Sequence, residues 1–206
     1  MILWTGFALL LMGLVSFAID RRAAHAFHAA VNRKAERLVW RTTDWAKGAH
    51  WLAIAILAYG LARLLEWAQG PNDTLRLTEA SALAFLVSLA VGSAILHTIK
   101  IVVGRRRPRD ELELGLYGFE PFRFNLRYDS FPSGHALTIF CVAVILSGTV
   151  PWLAPFWFAL ALYLALTRAL LNAHFVSDVF IGAAIGMLTA REILIHFFPA
   201  LTQSWF

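Results

Sequence analysis

The sequence predicts an all-α fold, a polytopic bundle of membrane-spanning helices. Hydrophobic residues make up 59% of the chain, above the roughly 45–50% of a soluble domain, and the mean hydropathy is +0.65. Six apolar stretches meet or approach the about 20 residues that a helix needs to cross a bilayer. We therefore predict a single integral-membrane domain over residues 1–206. The six predicted transmembrane helices are Ile2–Ile19, His50–Trp67, Glu79–Ile99, Ala136–Val150, Trp152–Leu171 and Val176–Phe198.

The segment between the first two spans, Asp20–Ala49, is too charged to cross a membrane. Ala24, Phe27, Val31 and other apolar residues recur there at helical spacing, while most basic residues fall elsewhere. This pattern predicts an amphipathic helix lying in the membrane interface. A solvated connecting helix is the alternative.

The charge distribution favours a membrane partner over nucleic acid, and we expect no nucleic-acid partner. The formal net charge is +5, but the basic residues lie between apolar spans and not along one solvated face. Anionic lipid headgroups or phosphorylated substrates fit this pattern better. Cys141 is the single cysteine, so an intrachain disulfide is impossible.

Three clusters of polar residues lie at the ends of predicted spans, where ionisable residues are functional candidates by default. The third span leaves the membrane where the fourth enters, and the fifth leaves where the sixth enters. Both junctions are therefore on the same side, and we expect the clusters to converge. Their members are Lys100 and Arg107 after the third span, Ser133, Gly134 and His135 at the fourth, and Arg168, His174 and Asp178 between the fifth and the sixth.

The cations and the helix start suit a phosphate group. Lys100, Arg107 and Arg168 can offset charge on transferring phosphoryl oxygens, where positioning and electrostatics supply most of the catalysis. Ser133 and the Gly134 amide are at the predicted N-terminus of the fourth helix, where unpaired amides and the helix dipole favour an anion. Taken singly, such residues are more often lipid anchors or ordinary helix starts. Together they predict a phosphate-binding site.

The histidines and Asp178 predict phosphoryl transfer. Neutral His174 can attack phosphorus. Asp178, four residues later on one helical face, can fix the imidazole tautomer and stabilise its cationic form. His135 can protonate the departing lipid oxygen and then activate the water that releases phosphate.

The remaining arginines around the third loop are interpreted as anchors to lipid headgroups. Their number and their position beside a membrane span are typical of such anchors. They are Arg105, Arg106, Arg109, Arg123 and Arg127.

At the three clusters the chain resembles the type 2 phosphatidic acid phosphatase superfamily. That family carries Lys-x6-Arg-Pro, Pro-Ser-Gly-His and Ser-Arg-x5-His-x3-Asp, and all three motifs occur here in order within residues 100–178, with Thr167 in place of the usual serine. The resemblance implies His174 as nucleophile, Asp178 as its partner and His135 as general acid. It implies phosphate binding by the other five residues of the clusters, and hydrolysis without a metal. We expect no cofactor, and the compact chain favours a bacterial inner membrane as its location.

The resemblance implies a phosphorylated membrane lipid as substrate without choosing one. Phosphatidic acid, phosphatidylglycerophosphate, undecaprenyl diphosphate and the 1-phosphate of lipid A are all candidates. A lipid phosphotransferase, a vanadate-dependent haloperoxidase and a non-catalytic lipid-binding protein are the alternative functions. The oligomeric state stays open.

Two arguments about orientation conflict. The resemblance implies an active site on the periplasmic side, and that is our expectation. The first loop, on the active-site side, is rich in Arg and Lys, whereas the second loop carries only Arg76. The positive-inside rule would put the basic side in the cytoplasm.

Overall fold

Nine α-helices form the fold within residues 1–122 and 125–206, the part of the chain that the computed structural model describes. The prediction of an all-α fold is confirmed. The side chains of Arg33 and Leu126 are not described either, and the anchoring role expected for Arg123 falls outside the described residues. The helices are α1 Ile2–Ser16, α2 Asp20–Ala30, α3 Arg33–Thr43, α4 Gly48–Gln69, α5 Asp73–Val103, α6 Pro108–Leu114, α7 Gly134–Thr149, α8 Ala154–Leu170 and α9 Val176–Phe197.

Six membrane crossings were predicted, but among the described residues fewer helical segments are long and apolar enough to cross a membrane. Four helical segments are long and apolar enough to span, and a fifth is added if the bent pair of α1 and α2 counts as one. The predicted fourth span corresponds to α7, whose 16 residues extend about 24 Å at 1.5 Å per residue, less than a hydrocarbon core of about 30 Å. The protein is a multi-pass membrane protein. The four segments are Lys34–Gln69, Asp73–Val103, Pro151–Leu170 and Val176–Phe197.

The segment predicted as one interfacial helix forms two helices, α2 and α3, which are separated at Asn32. The Asn32 side chain accepts hydrogen bonds from two backbone amides at the start of α3, which makes it a strong helix N-cap. The axis of α2 turns by 86° from that of α1. Asp20 at the start of α2 and Thr43 at the end of α3 are fully buried. Polar side chains therefore tie both helices to the bundle.

Helix α7 is the central helix of the bundle and packs against α5, α8 and α9. Two glycines bring α9 into backbone contact with it. A Cβ atom on Gly182 would lie 2.3 Å from the carbonyl oxygen of Ser133, and one on Gly186 would lie 2.2 Å from that of Leu137. This close approach places the beginning of α7 beside the beginning of α9.

Candidate active site

A tight turn after α5 starts the first part of the site. Gly104 ends α5 with φ = +56°, and a Cβ atom there would lie 1.9 Å from the carbonyl oxygen of Glu120. Both the positive φ and the lack of space favour glycine. The turn lets the backbone of Arg105 form isolated β-bridges with Phe119 and Asp129. The first motif is thereby brought alongside the residues that precede α7.

His174 lies in the turn between α8 and α9 and is 5% exposed. Its Nδ1 atom is 2.7 Å from the carbonyl oxygen of Ser130. Because a carbonyl can only accept a hydrogen bond, Nδ1 carries the hydrogen, and Nε2 of the neutral ring keeps a lone pair. Burial, together with the charges of Lys100, Arg168 and Arg107, lowers the pKa of His174 well below its usual 6.5. The ring is therefore neutral at pH 7.

Lys100 and Arg107 converge on Asp129. The Nε and Nη2 atoms of Arg107 lie 2.8 and 2.7 Å from Oδ1 of Asp129, and the ammonium of Lys100 donates to the Asp129 backbone carbonyl. Asp129 was absent from the residues predicted from sequence. Its carboxylate holds the planar fork of Arg107 in place. Both cations are thus positioned within electrostatic range of His174.

Arg168 is oriented by helix α3. Its Nη1 atom donates to Oγ1 of Thr43 at 3.3 Å, and its guanidinium lies 6.0 Å from the ring centre of Trp40. The hydroxyl of Thr167, which replaces the family's serine, is hydrogen-bonded to the same Thr43 hydroxyl at 2.8 Å. The buried Nε of Arg168 has no hydrogen-bond partner among the described residues. That donor is available for a phosphate oxygen.

The Pro-Ser-Gly-His motif forms the start of α7. Ser133 is the N-cap residue, and its backbone N–H donates to the Asp178 carbonyl at 2.9 Å. Apart from its chain neighbours and the backbone of its own helix, no described atom comes within 4 Å of a Cβ built on Gly134, so the first turn of α7 has space for a ligand. His135 is partly buried and interacts electrostatically with Arg168. All eight residues predicted from sequence therefore lie on one side of the bundle.

Asp178 does not contact His174 as expected. The pair are not on one helical face, because α9 begins only at Val176. Oδ2 of Asp178 is 3.9 Å from Nδ1 of His174, beyond hydrogen-bond distance. That oxygen accepts hydrogen bonds from the Ser130 hydroxyl at 2.5 Å and the Phe175 amide at 2.8 Å. Asp178 thus caps α9, while the Ser130 carbonyl sets the tautomer of His174.

Sequence reasoning missed Arg105, which it interpreted as a headgroup anchor. That interpretation is wrong, because the side chain is fully buried and donates to Asp178 at 2.6 Å and to Asp20 at 2.7 Å. Burial alone would lower the pKa of the Arg105 guanidinium, but the two carboxylates outweigh it and raise the pKa above its ordinary value. The only hint in the sequence was the position of Arg105, two residues before Arg107.

The other arginines of this loop differ in their contacts. Arg106 forms ion pairs with Asp110 at 3.3 Å and Glu120 at 2.9 Å, so it is held within the loop. Arg109 and Arg127 are exposed, and for them the anchoring role stays a prediction. Within the ranges 1–122 and 125–206, no group of three or more His, Cys, Asp or Glu side chains is arranged to hold a metal ion.

These features define an all-helical membrane protein with a cationic site built around a buried, neutral histidine. The family model described as the PAP2 superfamily matches residues 81–202. That range covers more than half of the chain and includes all three motifs. The chain belongs to the PAP2 superfamily.

Relatives in sequence and fold are bacterial. The chain is 31% identical to a lipid A 1-phosphatase of Rhizobium etli over 163 residues, which cover 77% of this chain and 68% of that protein. It is 34% identical to a lipid A 1-phosphatase of Rhizobium johnstonii over 104 residues, covering 50% of this chain and 43% of that protein.

Two solved structures share the fold. The crystal structure of Aquifex aeolicus LpxE matches with a TM-score of 0.60 at 18% identity, covering 86% of this chain and 96% of that one. The crystal structure of a transmembrane PAP2-type phosphatidylglycerolphosphate phosphatase from Bacillus subtilis matches with a TM-score of 0.59 at 19% identity, covering 91% and 93%. At these identities the likeness establishes the fold alone.

Proposed function

We propose that this chain is a membrane lipid phosphatase that removes phosphate from a lipid headgroup through a phosphohistidine intermediate on His174. One observation carries the proposal. The Nδ1–H of His174 is committed to the Ser130 carbonyl, so Nε2 is the free nucleophile beside Lys100, Arg107 and Arg168. Membership of the PAP2 superfamily and the phosphatase names of the relatives support the same reaction class.

In the first step, Nε2 of His174 forms a bond to phosphorus while the bond from phosphorus to the leaving oxygen breaks. The three cations and the amide of Gly134 at the start of α7 stabilise the charge on the non-bridging phosphoryl oxygens. His135 donates its proton to the departing lipid oxygen. The products of this step are the dephosphorylated lipid and a phosphohistidine.

In the second step, His135 accepts a proton from water as the water oxygen attacks phosphorus. The N–P bond breaks, its electron pair returns to Nε2 of His174, and inorganic phosphate leaves. The imidazole of His174 becomes cationic when it is phosphorylated, and Asp178, at 3.9 Å, stabilises that cation. Neither step in this scheme requires a metal ion or another cofactor.

The 1-phosphate of lipid A is the first substrate to test. The relatives from both Rhizobium species are named for that activity. The Bacillus subtilis structure is of a phosphatidylglycerolphosphate phosphatase, so that lipid is the second candidate. Phosphatidic acid and undecaprenyl diphosphate complete the panel, because the site residues bind only the phosphate that all four share.

We propose six crossings by α1, α4, α5, α7, α8 and α9, with the active site on the periplasmic side of a bacterial inner membrane. We also propose that α3 lies in the membrane interface. Its Leu38 is 61% exposed and its Trp40 39%, and Trp45 just after the helix is 62% exposed. Exposed apolar side chains beside basic ones favour an interfacial helix. The bacterial origin of the relatives supports the choice of membrane.

The activity test compares the purified protein with His174→Ala on the lipid panel, with chelator present. His97→Ala is the matched control, since His97 is an exposed histidine of α5. We expect phosphate release by the natural protein and the control, and at least about a thousandfold loss in His174→Ala. Undiminished release by His174→Ala would exclude the phosphohistidine mechanism. Turnover that depends on an acceptor lipid would instead establish a phosphotransferase, and activation by vanadate a haloperoxidase.

The orientation test uses single cysteines in intact cells, because the native Cys141 is buried. Glu36→Cys reports on the first loop and Pro71→Cys on the second, and both positions are exposed. We expect a membrane-impermeant maleimide to label Glu36→Cys alone. Labelling of Pro71→Cys alone would place the active site in the cytoplasm.

A further inference from the structure

We propose that Asp20, acting through Arg105, sets the negative charge that Asp178 presents to His174. This inference rests on the proposed phosphohistidine mechanism. Asp20 is then a positioning residue contributed by helix α2, a segment outside all three motifs. Its role is electrostatic and concerns the step in which the imidazole becomes cationic.

A buried network joins the two carboxylates through one guanidinium. The Nη1 atom of Arg105 donates to Oδ1 of Asp178 at 2.6 Å and to the Ser177 hydroxyl at 2.7 Å. Its Nη2 atom donates to Oδ2 of Asp20 at 2.7 Å. Arg105, Asp20 and Asp178 are each 0% exposed. The network is therefore fully removed from solvent.

Asp20 also makes direct contact with the beginning of α9. Its Oδ1 atom accepts a hydrogen bond from the Ser177 backbone amide at 3.0 Å, and its Oδ2 atom accepts one from the Ser177 hydroxyl. Asp20 and Ser177 are 157 positions apart in the chain. The turn between α1 and α2 is thus attached to the residue that precedes Asp178.

The net charge of this network determines the electrostatic potential that it produces at His174. A pair of Arg105 and Asp178 alone would be neutral, and it would attract a cationic imidazole 3.9 Å from Asp178 less strongly than a net negative charge would. Asp20 neutralises Arg105, and two carboxylates with one guanidinium leave a formal charge of −1. Asp178 can then stabilise the cationic ring of phosphorylated His174.

Aromatic rings enclose the guanidinium and keep water away from these charges. The centre of the Arg105 guanidinium lies 4.1 Å from the ring of Phe175, 4.8 Å from that of Phe17 and 5.4 Å from that of Phe119. Buried charges are screened far less than exposed ones. A change of one charge at Asp20 is therefore felt at His174 through Arg105 and Asp178.

The test is Asp20→Asn, which keeps the shape and the acceptor oxygen but removes the charge. We expect the single-turnover rate of phosphoenzyme formation and kcat to fall about 10–100-fold, a size that corresponds to about 1.4–2.8 kcal/mol, with KM changed less than about threefold. Asp73→Asn, an exposed carboxylate at the start of α5, is the control. Unchanged phosphorylation in Asp20→Asn, or a change in KM alone, would overturn the inference.

A second variant should shift the pH dependence of phosphorylation in the opposite direction, and it provides a test if Asp20→Asn does not fold. Arg105→Gln removes the positive charge, so we expect the acid limb of the phosphorylation rate to move to higher pH, whereas Asp20→Asn moves it lower. The other charged groups that face His174 are Lys100, Arg107, Arg168 and Asp178, and all remain in both variants. Shifts of the same sign, or no shift in Arg105→Gln, would show that the network is only structural.

The two proposals fail in different ways. If the natural protein forms no acid-labile phosphoenzyme, or if His174→Ala still forms it, the proposed function fails. If the natural protein forms it on His174 but Asp20→Asn does so at the natural rate, only the inference about Asp20 fails.

Discussion

The Nδ1 atom of His174 donates its hydrogen to the carbonyl oxygen of Ser130 at 2.7 Å, while the nearest oxygen of Asp178 is 3.9 Å away. A backbone carbonyl cannot be protonated near neutral pH, so this contact maintains one tautomer of the ring. The lone pair of Nε2 is therefore available without any proton transfer from His174. The predictions below follow from this arrangement and its supports.

We expect His174 to stay neutral below pH 6.5, and the pH dependence of phosphorylation tests this. Burial and the three nearby cations lower its pKa well below 6.5, so protonation begins only at pH values where an ordinary histidine is already charged. Protonation of His174 should therefore not slow the single-turnover formation of the phosphoenzyme as pH falls through 6.5. A rate that falls to half near pH 6.5 or higher because His174 becomes protonated would contradict the structure.

Asp178→Asn should lower both activity and stability. Asn keeps one acceptor oxygen but loses the charge that pairs with Arg105 and removes an acceptor from Ser130 or Phe175. Removing one partner of a buried ion pair costs about 3–5 kcal/mol, so a lower Tm is expected together with at least about a hundredfold loss of kcat. Thermal unfolding in detergent and phosphate release would be measured side by side. Glu113→Gln, at an exposed carboxylate of α6, controls for loss of charge alone.

Thr43→Val should weaken phosphate binding without changing the shape of α3. The substitution removes the hydroxyl that accepts a hydrogen bond from Arg168 and is also hydrogen-bonded to Thr167. One hydrogen bond to a charged group contributes about 1.5–3 kcal/mol, so kcat/KM should fall about 10–100-fold. In the control, Thr78→Val, the lost hydroxyl donates to the Thr74 carbonyl of its own helix. Equal effects of both variants would show that Thr43 does not orient Arg168.

Gly186→Ala should destabilise the protein, whereas Gly60→Ala should not. A Cβ atom at Gly186 would lie 2.2 Å from the Leu137 carbonyl oxygen, whereas one at Gly60 in α4 would meet no described atom within 4 Å outside its chain neighbours and its own helix backbone. The first change must separate α7 from α9, and we expect it to cost several kcal/mol, as overpacking in a core does. The second should be neutral or stabilising by up to about 1 kcal/mol, because Ala favours a helix. Thermal unfolding of both variants checks this, and equal Tm values would contradict it.

Much of the site was predictable because its signals are local. Lys100 and Arg107 lie next to one predicted span, and His135 and His174 lie next to others. The alternating direction of helices in a membrane then brings these residues to one side. Helical spans need only apolar length, so the fold class was predictable as well. The spacing of four between His174 and Asp178 was misleading, because it suggested a shared helical face where the chain has a turn.

Other parts of the site depend on contacts between distant segments. The Ser130 carbonyl that sets the tautomer of His174 is a backbone group, and every residue has one, so no side-chain pattern indicates it. Thr43 and Asp20 occur in a segment whose periodicity indicates an amphipathic helix. The bend after α1 and the break at Asn32 divide that segment into two helices, and Asp20 at its start and Thr43 near its end are both buried.

The sequence by itself determined the all-α class, the membrane location and the eight residues of the three motifs, since apolar length and residue spacing are properties of short segments. Tertiary structure decided the tautomer of His174, the capping role of Asp178 and the burial of Arg105 between two carboxylates. Asp20 and Ser177 are separated by 157 positions. Their contact arises from helix packing, which no local pattern encodes.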